Sequence, residues 1–169
     1  MSALRAVVAA LAVSLALVLQ VSVFGPLAWE GVVPNLCLLV VVAGALTRGP
    51  QFAMVLGFGA GLLLDLAPPA DHVAGRWALA LLLVGYLVGR VRPESRPTAT
   101  TVVATVAAAS FVGTSVFALS GVVLSDPVVG VGETLSVLAV SLVWDVLLTP
   151  FVLPPLMALF RRLEPVHAL

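Results

Sequence analysis

Six stretches of apolar residues dominate the chain, and short polar or Gly/Pro-rich segments separate them. A helix rises about 1.5 Å per residue, so roughly 20 apolar residues cross a hydrocarbon core of about 30 Å. The pattern therefore predicts an all-α integral membrane protein with one transmembrane domain. The predicted helices cover residues 6–24, 34–46, 52–66, 77–90, 98–124 and 134–160.

The first apolar stretch follows Arg5, as the core of a secretory signal peptide would. Its run over residues 6–24 is longer than the usual core, however, and no small-x-small cleavage site follows it. We therefore expect an uncleaved first transmembrane helix.

The second and third predicted helices are short. Only residues 47–51 separate them, and Gly49-Pro50 beside Arg48 indicates a turn in water or among lipid headgroups. At standard rise the two helices span about 20–22 Å. Either the bilayer thins there, or flanking residues extend the helices, or the pair forms a re-entrant hairpin.

The positions of the arginines predict the orientation of the chain. With six crossings and a cytoplasmic N-terminus, the outer side holds only Arg76. A strong excess of basic residues on the cytoplasmic side is the usual rule, so we expect both termini in the cytoplasm. The arginines on that side are Arg5, Arg48, Arg90, Arg92, Arg96, Arg161 and Arg162.

Composition agrees with a lipid environment. The chain is 62% hydrophobic and only 9% charged, too few charges to solvate a globular surface. Eight basic and eight acidic residues balance, and the absence of a basic run argues against nucleic-acid binding. The single cysteine, Cys37, excludes a disulfide within the chain.

Two helices carry glycines four residues apart. Gly57 and Gly61 share one face of the third helix, and Gly85 and Gly89 share one face of the fourth. Small residues at this spacing let another helix backbone approach closely. We predict that these faces pack against other helices or bind a partner.

Three charged residues stand out in or beside the predicted spans. Asp145 lies near the middle of the sixth helix, where an ionised Asp costs about 2.5–3.5 kcal/mol on insertion scales. It either contacts a proton, an ion or a partner helix, or is a hydrogen-bonded residue that faces the bundle. At the outer side, we expect Arg76 to pair with Asp65 or Asp71, tying the third helix to the fourth.

Three prolines follow Asp145 on the sixth helix, at Pro150, Pro154 and Pro155. Each lacks an N–H and crowds the carbonyl four residues earlier, so a kink is expected. The alternative is a discontinuous helix that forms a substrate site.

Nothing in the sequence predicts catalysis, a cofactor or a metal. No phosphate-binding loop is present, and His72 and His167 lie in a loop and a tail. Asp71-His72 offers two adjacent ligands without a third. We therefore expect a protein that is not an enzyme.

The sequence resembles the MreD family over nearly its whole length. The similar features are Pro34-Asn35-Leu36, then Gly57 and Gly61 leading into Leu64-Asp65-Leu66, then Gly75, Ala78-Leu79 and Tyr86-Leu87, and finally Leu147-Leu148-Thr149-Pro150 with Arg161-Arg162.

This resemblance implies a non-catalytic scaffold of the bacterial cell-elongation complex in the cytoplasmic membrane. Such a protein would maintain cell shape and support lateral peptidoglycan synthesis beside MreC and the actin-like MreB. The family is also similar in hydropathy to the substrate-binding subunits of energy-coupling-factor vitamin transporters, which is the alternative function. An unrelated small membrane enzyme is a third, less favoured interpretation.

Overall fold

The computed structural model describes residues 3–68, 73–93, 96–124 and 131–163. These ranges form an all-helical fold in which no strand occurs, as the apolar pattern predicted. The α-helices are α1 (Ala3–Leu19), α2 (Leu36–Arg48), α3 (Pro50–Leu66), α4 (Arg76–Val91), α5 (Ala99–Val123) and α6 (Val131–Arg162).

Three of the described helices are long and apolar enough to cross a membrane, judged by length and composition. They cover Ala3–Leu27, Ala99–Val123 and Gly132–Arg162. The first of them is α1 continued by a π-helical turn, Gln20–Phe24, and a 3₁₀ turn, Gly25–Leu27. Single π-helical turns within α-helices are rare and frequently lie at functional sites.

Helix α2 lies at the centre of the fold. Every residue from Leu36 to Thr47 is buried, and α2 packs against each of the other five α-helices. A helix that is apolar on all sides can be buried on all sides, and α2 has no polar face. The short second helix is therefore the one around which the others pack.

The start of α2 differs from the predicted start at Pro34. The helix begins at Leu36, because the side chain of Asn35 accepts a hydrogen bond from the N–H of Leu38 and so caps the first turn. At its other end, Gly49 alone separates α2 from α3. Gly49 has φ +83°, a conformation that residues with a Cβ rarely adopt, and Pro50 then begins α3.

Contacts at the two ends of the bundle show that consecutive helices run in opposite directions. At one end, the guanidinium of Arg92 donates to the carbonyl of Thr47 over 3.1 Å, and Phe52 meets Phe160 edge to face. We call this the arginine end, because the ends of α2, α4 and α6 bring there Arg48, Arg90, Arg92, Arg161 and Arg162. The beginnings of α2, α4 and α6 point toward the opposite end.

Candidate functional site

Asp145 joins three helices in the interior. Its side chain is 1% exposed. One carboxylate oxygen accepts from the backbone N–H of Asn35 over 2.8 Å, and the other accepts from the hydroxyl of Ser110 over 2.6 Å. Asp145 thus connects α6 to α5 and to the beginning of α2. A buried acceptor needs such partners, and these contacts fit the hydrogen-bonded alternative for this residue.

The first turn of α2 receives two further side-chain acceptors. The first N–H groups of a helix have no partner within the helix, so other groups accept from them. Gln20 accepts from the N–H of Leu36 over 2.9 Å, and Asn35 accepts from the N–H of Leu38 over 2.9 Å. The π-helical turn that begins at Gln20 places this amide beside α2. The buried helix start is therefore capped from α1 and from its own preceding residue.

A cavity of about 560 Å³ opens beside this capped helix start. The end of α1, residues 28–33, the last turn of α3 and parts of α4, α5 and α6 line it. Its polar lining side chains include Gln20, Glu30, Asn35, Thr114 and Ser141. We call the end of the bundle that holds it the cavity end. Small-molecule sites are commonly concave, of this size, and mostly apolar with a few polar groups.

Asp65 caps a second helix at the cavity end. It is 2% exposed and lies in the last turn of α3. Its carboxylate accepts from the backbone N–H groups of Gly75, Trp77 and Ala78, over 2.8, 3.0 and 3.1 Å. A negative charge at a helix N-terminus also interacts favourably with the helix dipole. Asp65 thus ties α3 to the first turn of α4.

Arg76 ties α4 to α5. Its guanidinium donates to the carbonyl of Phe117, with the shorter of two contacts at 2.8 Å, and to the hydroxyl of Ser120 over 3.3 Å. The guanidinium carbon also lies 4.0 Å from the centre of the Phe117 ring. A Cβ at Gly121 would collide with this guanidinium, so the glycine makes room for it. The expected pairing of Arg76 with Asp65 stays a prediction, and Asp71 lies outside the described residues.

The comparisons with known proteins identify the family. A family model described as rod shape-determining protein MreD matches residues 1–163. The chain belongs to the MreD family. Membership supports a role in rod-shape determination, and with the three long apolar helices it indicates an integral membrane protein. No curated protein matched the chain, and no solved structure matched it.

In this MreD-family chain, the two predicted glycine faces pack against each other. A Cβ at Gly57 would collide with the backbone of Leu81, and one at Gly85 would collide with the backbone of Ala53. Gly61 and Gly89 are covered in the same way by α4 and by the start of α3. The absence of side chains at these four positions lets α3 and α4 lie backbone to backbone.

The three prolines lie within a continuous α6. Directly before Pro150, the hydroxyl of Thr149 donates to the carbonyl of Asp145 over 2.8 Å. A groove of about 390 Å³ lies here between α5 and α6, and Pro150, Pro154 and Leu153 line it together with Val102. The prolines thus shape the surface of α6 near the arginine end, while the cavity lies near its first turns.

Sequence reasoning did not single out Gln20, Asn35 or Ser110 as polar partners. Asn35 directly before an apolar run is a signal for a helix cap, and Gln20 is an amide inside a predicted span. The bond from Ser110 to Asp145 joins residues 35 positions apart and has no local signal. Among the described residues, no group of three His, Cys, Asp or Glu side chains could hold a metal. His72 and His167 lie outside them.

Proposed function

We propose that this protein is a non-catalytic scaffold of the cell-elongation complex in the bacterial cytoplasmic membrane. In this role it binds MreC and acts with MreB in cell-shape maintenance and lateral peptidoglycan synthesis. The observation that carries the proposal is the match of the MreD family model to residues 1–163. The described polar interior supports a structural role, since Asp65 and Asp145 both accept hydrogen bonds from helix starts.

The proposed topology has six crossings with both termini in the cytoplasm. Alternating helix directions support it, because they gather the starts of α2, α4 and α6 at one end. The opposite end carries five of the eight arginines, in or directly after the last turns of α2, α4 and α6. A cytoplasmic arginine end is consistent with the usual charge bias. Arg76 then lies at the outer side, where its contacts with α5 hold it.

The surface that meets partner helices is proposed to lie on α1 and not on the glycine faces. The glycines at positions 57, 61, 85 and 89 are covered within the chain. By contrast, one stripe of α1 is exposed and apolar, at Leu4, Val7, Leu11, Leu15 and Val18. Their spacing of three and four residues places them on one face, which fits lipid or an apolar partner helix.

Depletion of the protein in its native cells tests the proposed function. We expect rod-shaped cells to become round, and expression of the wild-type chain to restore the rods. Capture of MreC with the tagged full-length chain should accompany restoration. Normal rods after complete depletion would contradict the proposal.

The transporter alternative has one observation in its favour, the cavity beside α2. It predicts loss of vitamin uptake on depletion while cell shape stays normal. Uptake of labelled vitamins in the same depleted cells therefore separates the two functions.

A further inference from the structure

Four polar side chains that line the cavity are almost fully buried. Gln20 and Asn35 are each 8% exposed, Thr114 is 7% exposed and Ser141 is 9% exposed. They come from the end of α1, the residue before α2, α5 and α6. Four separate elements thus bring hydrogen-bonding groups to one space.

These side chains retain unused hydrogen-bonding capacity. The amide oxygens of Gln20 and Asn35 accept hydrogen bonds from N–H groups of α2, and the NH₂ group of each side chain is a further donor. Within the described part of the chain, neither NH₂ group has a partner, and neither does the hydroxyl of Thr114 or Ser141. Buried donors in proteins usually have a hydrogen-bond partner.

The unused groups border open space. Among the described residues, Trp144 Nε1 is the one side-chain nitrogen or oxygen that is both fully enclosed and without a partner. The amides and hydroxyls of the four lining residues therefore keep contact with a space, and the space they line is the cavity. A ligand that enters the cavity meets several hydrogen-bond donors.

The remaining lining disfavours an anion and favours a ligand with an apolar part. Val21, Val33, Leu64 and Val137 contribute apolar walls, and the lining ring of Trp77 stacks on Phe117 with 4.4 Å between ring centres. The carboxylate of Glu30 also lines the cavity, and it would repel an anion. Hydrogen-bond donors together with apolar walls match a carbonyl group attached to a hydrocarbon chain.

We propose that the cavity binds an uncharged amphipathic molecule through an ester or amide carbonyl. The carbonyl oxygen accepts from the amides of Gln20 and Asn35, with Thr114 and Ser141 beside it, and the hydrocarbon part lies against the apolar walls. A glycerolipid ester and a water-soluble alkyl amide share this chemistry. The site adds ligand binding to the scaffold, and it stands or falls independently of cell shape.

Photolabelling of the full-length protein tests the proposal. The protein is placed in nanodiscs of ether-linked phosphatidylcholine, which offers no ester carbonyl. One probe is a monoacylglycerol ester with a diazirine in its acyl chain, and the matched probe is its ether analogue without the carbonyl. We expect the ester probe to label the cavity peptides about tenfold more than the ether probe, the scale of about 1.4 kcal/mol.

Variants on α6 provide the structural control. Val137→Phe fills the cavity and should abolish the specific labelling, whereas Val143→Phe adds the same ring at a half-exposed outer position and should leave it unchanged. If Val137→Phe fails to fold, the double variant Thr114→Val with Ser141→Ala removes both hydroxyls and should reduce labelling instead.

Competition identifies the source of the ligand. Excess monoolein that removes the labelling indicates a lipid, and excess N-hexylacetamide that removes it indicates a water-soluble amide. Equal labelling by the ester and ether probes would overturn the proposal. So would labelling that is spread over the outer helix faces and is the same in both phenylalanine variants.

Discussion

Two buried carboxylates in this protein accept hydrogen bonds from backbone N–H groups at the starts of helices. Asp145 accepts a hydrogen bond from the N–H of Asn35, the residue before α2. Asp65 accepts hydrogen bonds from three N–H groups around the first turn of α4. The first N–H groups of a helix have no partner within the helix, and these carboxylates supply acceptors for them. From the sequence, the cost of Asp145 is that of burying a charge in an apolar helix. In the structure, both carboxylates satisfy backbone N–H groups that would be costly to leave without an acceptor.

Replacing Asp145 should separate its hydrogen-bonding role from its charge. Asp145→Ala leaves the N–H of Asn35 and the hydroxyl of Ser110 without an acceptor, at about 1–3 kcal/mol for each buried group. Asp145→Asn keeps one carbonyl oxygen as an acceptor, and its NH₂ group can donate a hydrogen bond to the hydroxyl oxygen of Ser110. We expect thermal unfolding of the purified protein in detergent to shift strongly downward for Ala and little for Asn. Equal, large shifts for both variants would show that the negative charge is required.

The hydrogen-bond partners of Asp145 and Gln20 could not be predicted from the sequence. The charge of Asp145 inside an apolar helix marked it as a residue that needs a partner. The identity of that partner depended on the fold, because Asn35 lies 110 positions away and contributes its backbone N–H. No side-chain pattern encodes such a bond. Gln20 was overlooked for the same reason, since its role depends on the π-helical turn beside α2.

At the level of elements, the contact between α3 and α4 depends on residues without side chains. Gly57, Gly61, Gly85 and Gly89 each face backbone atoms of the partner segment. Close backbone approach increases van der Waals contact, which is a main source of helix association in lipid. The spacing of these glycines in the sequence predicted close packing, but it did not show which helix would be the partner.

A glycine substitution tests this contact with a control on the same helix. Gly57→Val places a branched side chain against the backbone of Leu81, which cannot move away cheaply, and overpacking costs about 1–3 kcal/mol or more. Gly59→Val points to open space and is the matched control. We expect membrane levels and thermal stability to fall for Gly57→Val only. Similar stability of the two variants would contradict the backbone contact.

The central place of α2 was only partly visible in the sequence. Its length suggested an incomplete crossing, and its uniformly apolar composition is typical of a helix enclosed on all sides. The sequence did not show whether α2 ends short of a full crossing or is a helix that the other helices enclose. In the structure α2 is surrounded by the other helices, so a short central helix can start and end within the bundle, with its ends capped by side chains of its neighbours.

For the whole molecule, the two ends of the bundle differ in chemistry. One end carries the arginines in the last turns of α2, α4 and α6. The other end carries the capped helix starts and the cavity. This asymmetry follows from helices that alternate in direction, and in the proposed topology the arginine end is the cytoplasmic one. MreD-family membership gives that architecture its role in rod-shape determination.

We propose that the turn between α2 and α3 and the segment after α1 face opposite sides of the membrane. Cysteine labelling tests it in a Cys37→Ala background, since Cys37 is the only cysteine in the chain. Ala28→Cys and Gln51→Cys each place a thiol at an exposed position near one end. A membrane-impermeant maleimide should label Ala28→Cys in intact cells and Gln51→Cys only after the membrane is permeabilised. Labelling of Gln51→Cys in intact cells would contradict the proposed orientation and the crossing of α2 and α3.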